Sequence, residues 1–321
     1  MGQRKKVTVI IAVIVGAIML SAGAAVLSRY IERRSEERLI YYNGTQYRYR
    51  DDISTFLVIG IDDNDNEEES SLGEYYRNTS QSDFLILVVF DESTHTYRII
   101  QINRDTMADI RVYDRLGDYA GDELAQIALS HTYGSGAEDS CENTVYAVSH
   151  LLYDAKIDNY MSITTDVVPV LNDLAGGVDV LVEDDFEEVD DTLVMGQTVH
   201  LEGQHALVYI RARRAMADDS NEARMRRQNT YLLALREALT NAFIEDPSFA
   251  VSAYSAVMDY TVTDVDFDDI PGLAYKLATY EFEGVVGIEG ESVAEERYAA
   301  FYPDESALQE LIISTFYEPV E

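Results

Sequence analysis

The stretch DFLILVVFDESTHTYRIIQINRD, residues 83–105, predicts the centre of a β-sheet. Two runs rich in β-branched and aromatic residues lie on either side of a polar segment at 92–96, as in two strands joined by a turn. The run FLVIGID, residues 56–62, is apolar until its final acid and predicts another buried strand. We expect these strands to form the core of the protein.

Helical patterns alternate with further strands along the rest of the chain. A helix is predicted at about 166–175, ended by Gly176-Gly177, between the strand-like runs YMSI and GVDVLV. A long helix is predicted at about 221–242. Strands alternating with helices predict an α/β fold with a sheet covered on both faces.

The composition argues against a nucleic-acid-binding function and against an internal disulfide. The chain has 24 Lys and Arg against 59 Asp and Glu, a formal net charge of −35 and a pI of about 4.2. A general nucleic-acid binder would show a basic face and a high pI, so we expect no nucleic-acid partner. The single cysteine, Cys141, excludes an internal disulfide and is expected to be a small buried apolar residue.

The N-terminus predicts a membrane anchor. Residues 7–28, VTVIIAVIVGAIMLSAGAAVLS, carry no charge, and a helix of that length spans about 33 Å, enough to cross a bilayer core. A cleaved signal peptide is the competing interpretation, because Ala22-Gly23-Ala24 has the small-x-small pattern. The apolar run is longer than that of a usual signal peptide, so an uncleaved transmembrane helix is favoured.

This anchor predicts a single-pass protein of the cell membrane with its C-terminal domain extracellular. Residues 1–6 would form a short cytoplasmic tail. Residues 29–50 are polar with mixed charge and are expected to form a stalk helix leading into a loop. Because no repeat or low-complexity linker divides residues 51–321, we expect them to form one extracellular domain.

Six arginines lie within YIRARRAMADDSNEARMRRQ, residues 209–228. Extended backbone in the first part would place two of them on one side, and residues three and four apart share one face of the helix that follows. Forked guanidinium donors match phosphate oxygens bidentately. The segment therefore predicts an anion site formed by Arg211, Arg213, Arg224, Arg227 and Gln228.

The other two arginines of this segment have a simpler interpretation. Arg214 and Arg226 are expected to form surface salt bridges with the nearby acids Asp218, Asp219 and Glu222. A set of such bridges is also the alternative to the anion site.

Acidic residues lie at the ends of two neighbouring predicted strands. Asp62 and Asp63 close the first strand, and Asp83 opens the second. Strand ends in an α/β sheet often border the ligand crevice, and two carboxylates there can hold Mg²⁺ or Mn²⁺. The alternative is that these acids are ordinary polar strand ends. The run DDNDNEEES lacks the glycine and the closing glutamate of an EF-hand loop and is interpreted as a solvated loop.

The segment QINRDTM, residues 101–107, places Arg104 and Asp105 directly after a strand. Arg104 is a further candidate phosphate ligand, and Asp105 could orient an arginine or act as a base. The sequence contains no HExxH spacing, no Walker or dinucleotide loop and no GxSxG nucleophile elbow, so a serine hydrolase has no support.

Together these segments resemble the LytR-CpsA-Psr family of membrane-anchored envelope enzymes, over about residues 56–317. Several spaced motifs occur in the family's order. They are Gly60-Ile61-Asp62, Ser82-Asp83-Phe84, Arg104-Asp105-Thr106, residues 176–180, LEGQHALVYIRAR at 201–213 and RMRRQ at 224–228.

The resemblance implies a three-layer α-β-α sandwich with a mixed central sheet. It implies a phosphotransferase that attaches polyprenyl-pyrophosphate-linked glycopolymers, such as teichoic acid or capsule-like polymers, to peptidoglycan through a phosphodiester. Asp62 and Asp83 would hold Mg²⁺ (or Mn²⁺). The pyrophosphate would be bound by Arg104, Arg211, Arg213, Arg224 and Gln228, with Arg227 added from its place on the same helix face. The catalytic group would be Arg104, Asp105, Arg211 and Arg213.

Four positions depart from the family's motifs. Gln81 replaces a basic residue before Ser82-Asp83, Asn103 replaces a proline, and Gln126 and Ala128 replace a lysine and an asparagine. Because the two glutamines remove groups that would help to bind phosphate, two alternatives stay open. The protein could hydrolyse the lipid pyrophosphate, or it could bind lipid-linked intermediates without catalysis, in scaffolding or regulation. The candidate general bases are Asp105 and Asp219.

Overall fold

The computed structural model describes residues 39–61, 77–212, 216, 218 and 220–320. Its strands are β1 (Leu39–Tyr42), β2 (Thr45–Tyr49), β3 (Ile53–Ile61), β4 (Ser82–Asp91), β5 (Thr96–Ile102), β6 (Met107–Tyr113), β7 (Tyr119–Gln126), β8 (Asn159–Thr164), β9 (Val178–Leu181), β10 (Thr198–Leu201), β11 (Thr261–Thr263), β12 (Glu281–Gly287), β13 (Gly290–Ala294), β14 (Ala299–Pro303) and β15 (Tyr317–Pro319). Its α-helices are α1 (Glu138–Leu151), α2 (Val167–Leu174), α3 (Gly203–Arg211), α4 (Asn221–Glu245), α5 (Phe249–Val257), α6 (Ile270–Thr279) and α7 (Glu305–Phe316).

A mixed six-stranded sheet forms the centre of residues 52–309. Its order is β11-β8-β3-β4-β5-β12. The hairpin of β4 and β5 is the one predicted from residues 83–105, and β3 pairs with β4 antiparallel. Strand β8 runs parallel to β3 and β12 runs parallel to β5, so the sheet is mixed. The α/β fold with a mixed central sheet is confirmed.

Apolar side chains cover both faces of this sheet. On one face, Ile86 and Val88 lie in a buried cluster with Tyr254 of α5 and Ile270 of α6. Alternate residues of a strand point to opposite faces, and Leu87 on the other face is also fully buried. This two-sided burial explains why the strands read as continuous apolar runs.

Several strand ends meet at one edge of the sheet. Ile61, which ends β3, lies opposite Ser82, which begins β4, and beside Thr164, which ends β8. Strand β5 ends at the same edge, because Ile102 pairs with Leu85 of β4. The residues that follow β5 and those that begin β4 are therefore neighbours in space.

Gly60 allows β3 and β4 to approach closely at this edge. A Cβ atom built on Gly60 would lie 2.9 Å from the Cβ atom of Phe84, closer than real side chains approach. Phe84 therefore packs over the glycine, and this contact is one reason for the glycine in the Gly60-Ile61-Asp62 motif.

Cys141 is fully buried on α1, as predicted. Burial raises the pKa of its thiol to about 12, so the thiol remains protonated at neutral pH. This environment is typical of an inert core cysteine.

Residues 39–51 and 310–320 form a compact unit of their own, separate from the unit of residues 52–309. Strands β1, β2 and β15 make a three-stranded antiparallel sheet there. The prediction of a stalk helix leading into a loop is wrong for the described part of 29–50, which forms β1 and β2. Asn43 and Gly44 have φ angles of 48° and 80°, the left-handed conformations of a two-residue hairpin turn, so this Asn-Gly pair favours strands over helix.

No helix of the described ranges is long and apolar enough to cross a bilayer. The predicted transmembrane helix at 7–28 lies outside the described residues. The cytoplasmic tail at 1–6 and the acidic run after Ile61 also lie outside them.

Candidate functional site

Asp83 is held between two arginines at the edge where the strands meet. Arg104, two residues after β5, donates from Nη1 to Asp83 Oδ1. Arg224, on the first turn of α4, places Nη1 3.6 Å from the other carboxylate oxygen, Oδ2. The side chains of Asp83, Arg104 and Arg224 are 19%, 15% and 9% exposed, so solvent screens their charges only in part.

Two glutamines and one further acid orient this group. Arg104 donates from Nη2 to Gln81 Oε1 at 2.5 Å, and its Nε lies 3.7 Å from Asp105 Oδ1. Gln126 donates from Nε2 to the same Asp105 oxygen at 2.8 Å. The two glutamines that depart from the family's motifs therefore contact the site, Gln81 as an acceptor for Arg104 and Gln126 as a donor to Asp105.

Two asparagines connect the loop after β5 to α4. Asn221 Nδ2 donates to Asn103 Oδ1 at 2.7 Å, and Asn221 Oδ1 accepts from Arg224 Nη2 at 2.9 Å. Asn103 therefore supplies a side-chain hydrogen-bond acceptor that a proline at this position would lack. Ser220 caps α4 through the backbone N–H of Ala223. The positive end of this 25-residue helix thus lies beside the arginine pair, where an anion is stabilised.

Arg227 contacts a different acid from Arg224, although both lie on one side of α4. Its Nη1 lies 2.8 Å from Asp184 Oδ2, its Nη2 donates to the carbonyl of Ala212, and its guanidinium lies over the ring of Phe186. Arg227 is 2% exposed. These contacts connect α4 to the segment that follows β9 and to Ala212, which follows α3.

Tyr209 lies near Arg227 and Asp184. Burial, with a smaller contribution from the carboxylate of Asp184, raises the pKa of its phenol to about 12, and Arg227 opposes the shift. The ring of Tyr209 stacks on Phe186 at 5.5 Å. The phenol therefore stays neutral at neutral pH, and the ring is part of the buried core.

The remaining predicted residues fall into two groups. Arg211 is exposed at the end of α3. The expectation of extended backbone is wrong for residues 209–211, because α3 continues to Arg211. Gln228 is half-buried on α4. The predicted residues that lie outside the described part are Asp62, Asp63, Arg213, Arg214 and Asp219.

The predicted surface salt bridge of Arg226 is confirmed. It lies 3.5 Å from Asp218, and both side chains are more than half exposed. Such an exposed pair contributes little to stability.

Sequence reasoning missed a buried amide pair beneath the site. Asn229 of α4 donates from Nδ2 to Gln101 Oε1 of β5 at 2.7 Å, and Gln101 is only 4% exposed. The available signal was a glutamine inside the apolar run YRIIQI.

The described residues offer few ligands for the predicted metal ion. Within the described ranges, no group of three or more acidic, histidine or cysteine side chains could hold a metal ion. Asp83 is the described member of the predicted pair. Mg²⁺ commonly binds through one or two carboxylates together with substrate phosphates, so the donor set fits that ion if a phosphate ligand completes it.

The sequence profile of the LytR_cpsA_psr family matches residues 20–312, which is most of the chain. The chain belongs to the LytR_cpsA_psr family. This result confirms the resemblance seen in the sequence motifs.

Two curated members of the LytR_cpsA_psr family come from Bacillus subtilis (strain 168). The polyisoprenyl-teichoic acid–peptidoglycan teichoic acid transferase TagV is 30% identical over 169 residues, 50% of this chain and 40% of TagV. The corresponding transferase TagT is 26% identical over 193 residues, 57% of this chain and 52% of TagT. This chain therefore aligns with about half or less of the length of these relatives.

Solved structures of the family share the fold. The crystal structure of B. subtilis TagV superposes with a TM-score of 0.62 at 22% identity, covering 83% of this chain and 96% of that one. TagT bound to LIIa-WTA gives a TM-score of 0.61 at 21% identity, covering 83% and 90%. Lin1025 from Listeria innocua gives 0.56 at 23% identity, covering 82% and 96%.

Proposed function

We propose that the protein is a phosphotransferase of the cell envelope. It would move a glycopolymer, of the teichoic acid or capsule-like kind, from a polyprenyl-pyrophosphate carrier to peptidoglycan through a phosphodiester. The observation that carries the proposal is the pair of arginines around Asp83 at the start of a long helix. The names of TagV and TagT, both teichoic acid transferases, support the same reaction class.

The anion site suits a pyrophosphate group. Arg104 and Arg224 present forked donors from two directions, and the N-terminus of α4 adds its own partial positive charge. In a chain of net charge −35, such a local concentration of positive charge favours the binding of a dense anion that the rest of the protein repels. Arg211, Arg213 and Gln228 are proposed as further ligands of the same group.

An apolar surface beside the site suits the lipid. Val58, Phe84 and Met161 face the helices from central strands, yet they are only partly buried. Leu232 of α4 and Leu277 of α6, which pack against the same cluster, are also only partly buried. Side chains of central strands beneath helices are usually fully buried, so this incomplete cover leaves apolar surface that a polyprenyl chain can contact.

The bound metal is proposed to be Mg²⁺ (or Mn²⁺), held by Asp83 and Asp62. When bound, the ion would neutralise charge on the phosphates, which is most of what phosphoryl transfer demands. Asp105 is proposed as a positioning residue, because it contacts both Arg104 and Gln126. Arg104 would stabilise charge on the transferred phosphate.

The reaction exchanges one phosphorus–oxygen bond for another. A hydroxyl oxygen of the acceptor bonds to the sugar-side phosphorus, and the bond from that phosphorus to the bridging oxygen breaks. The prenyl monophosphate leaves with the electron pair. The N-terminal segment at 7–28 is proposed to hold the protein at the membrane where such a lipid resides.

Turnover of a defined substrate tests this proposal. The full chain in detergent micelles is mixed with Mg²⁺ and a short polyprenyl-pyrophosphate oligosaccharide, with and without peptidoglycan oligomers, and products are identified by mass spectrometry. Arg224→Met removes the α4 member of the two arginines that contact Asp83, and Arg226→Met is the matched control two residues away on the exposed side of α4.

Each product supports or contradicts the transferase. An oligosaccharide-phosphate adduct on peptidoglycan, formed by the wild type and Arg226→Met but lost in Arg224→Met, supports it. Prenyl phosphate released without an adduct would indicate a hydrolase. Tight binding without turnover would indicate a non-catalytic binder of lipid-linked intermediates.

A further inference from the structure

The amide pair of Gln101 and Asn229 is the most unusual feature of the helix-facing side of the sheet. Gln101 follows Ile99 on that face of β5 and pairs across the sheet with Ile86, two residues of the buried apolar cluster. The contact to Asn229 of α4 connects strand and helix within apolar surroundings.

This pair has unused hydrogen-bonding capacity. Gln101 Nε2 and Asn229 Oδ1 are buried, and neither has a hydrogen-bond partner among the described residues. Reversing both amides exchanges the roles of the two side chains but still leaves one donor and one acceptor. Buried polar groups without partners destabilise a fold, so a leucine and a methionine here would suit a purely structural role better.

The pair lies just behind the anion site. Asn229 follows Arg224 by five residues, or about 7.5 Å along the helix axis. Gln101 is the last residue but one of β5, and Arg104 follows the end of that strand by two residues. Strand register places Gln101 in one row of the sheet with Ile86 and Val58, so the pair lies beside the partly covered apolar surface. A carrier whose prenyl chain lies on that surface would bring its lipid-side phosphate to the pair.

We propose that Gln101 and Asn229 form the binding site for the leaving group, the prenyl monophosphate. The proposal rests on the transferase function above. When the acceptor hydroxyl bonds to the sugar-side phosphorus, its proton passes to the departing phosphate, so that one phosphodiester and one singly protonated prenyl monophosphate result. A singly protonated phosphate offers both an acceptor oxygen and a P–OH donor, which matches the free donor of Gln101 and the free acceptor of Asn229.

Farnesyl monophosphate and farnesyl diphosphate are suitable probes, because they carry one and two phosphates on the same short prenyl chain. Their dissociation constants are measured by calorimetry with the full chain in detergent. The variants are Gln101→Met and Asn229→Leu. Gln309→Met, a matched change on α7, and Arg224→Met are the comparisons.

We expect Gln101→Met and Asn229→Leu each to weaken farnesyl monophosphate binding about tenfold, because each removes a hydrogen bond to a charged group. Farnesyl diphosphate should be weakened less, since the arginines also hold it. Each single variant leaves the other amide buried without its partner and should lower the Tm, whereas the variant that combines both changes should have a Tm without ligand equal to or above that of the wild type. Gln309→Met should change neither affinity.

Two results would overturn this inference without contradicting the proposed function. One is unchanged monophosphate affinity in both variants, while Arg224→Met still loses farnesyl diphosphate. The other is a lower Tm of the combined variant with unchanged monophosphate affinity, which would assign the pair a structural role. Failure of the wild type to bind either probe would instead contradict the proposed function.

Discussion

Asp83 receives a guanidinium from each side, Arg104 from the loop after β5 and Arg224 from the first turn of α4. One carboxylate thus joins two elements of the fold that are far apart in sequence. Two positive charges also remain close together only while this acid lies between them or an anion replaces it.

The first prediction concerns this balance of charge. Asp83→Asn removes the charge of an acid that joins the two arginines, so it should lower the free energy of unfolding by about 2 kcal/mol. Asp218→Asn, which breaks only the exposed pair with Arg226, should leave stability unchanged. Urea unfolding of the two full-length variants provides the comparison, and equal midpoints would contradict a structural role for Asp83.

The second prediction separates two arginines that the sequence treats alike. Arg227→Met removes a nearly fully buried guanidinium from Asp184 and the Ala212 carbonyl and should lower the free energy of unfolding by about 3 kcal/mol. Arg226→Met should have almost no effect. If Arg227 bound pyrophosphate directly instead, its variant would keep its stability and lose ligand affinity.

The third prediction concerns pH. His131 is completely buried, and its Nδ1 lies 3.0 Å from the Ser80 carbonyl oxygen. Burial lowers the pKa of His131 below its usual value of 6.5. The unfolded chain therefore binds a proton that the folded protein resists, so stability from this residue is complete above pH 6.5 and declines as the pH falls below it.

Thermal unfolding between pH 7 and pH 5.5 measures this effect. His131→Asn should flatten the decline in Tm over that range. His95→Asn is the control, since His95 lies exposed in the β4–β5 turn with a φ of 56°, a conformation that asparagine accepts. An equal slope in the wild type and the His131 variant would contradict the prediction.

The fourth prediction tests the close approach at the site edge. Gly60→Ala places a Cβ atom 2.9 Å from that of Phe84 and should destabilise the protein by about 1–3 kcal/mol. Gly287→Ala, near the end of β12, meets no atom within 4 Å and should be neutral or slightly stabilising. Stability and lipid binding are both measured, and a neutral Gly60→Ala would mean that Phe84 can move freely.

Much of the fold was predictable because its signals are local. The β4–β5 hairpin follows from two apolar runs around a polar turn, and α4 from a helical pattern ended by Pro247. Strands β1 and β2 were missed because each carries exposed polar or tyrosine side chains on one face, which resembles a polar stalk until the Asn43-Gly44 turn is considered.

The residues of the candidate site were predictable from the sequence, but the contacts between them were not. Arg224 and Arg227 share one side of α4, and nothing in their spacing shows that the first meets Asp83 and the second Asp184. Gln101 was hidden as one polar residue within an apolar strand. Its significance depends on Asn229, which comes from a distant part of the chain.

By itself, the sequence determined the central strands β3, β4 and β5, the long helix α4, the family, and the concentration of arginine in an acidic chain, because periodicity, composition and motif spacing are local properties. Only the tertiary structure decided which charges meet. The pairing order of β3, β4 and β5 and the start of α4 bring Asp83, Arg104 and Arg224 together, and the same order leaves Gln101 and Asn229 with an unused donor and acceptor beneath them. Contacts between residues distant in the chain depend on strand register and helix placement, and these are properties of the packed fold rather than of any one segment.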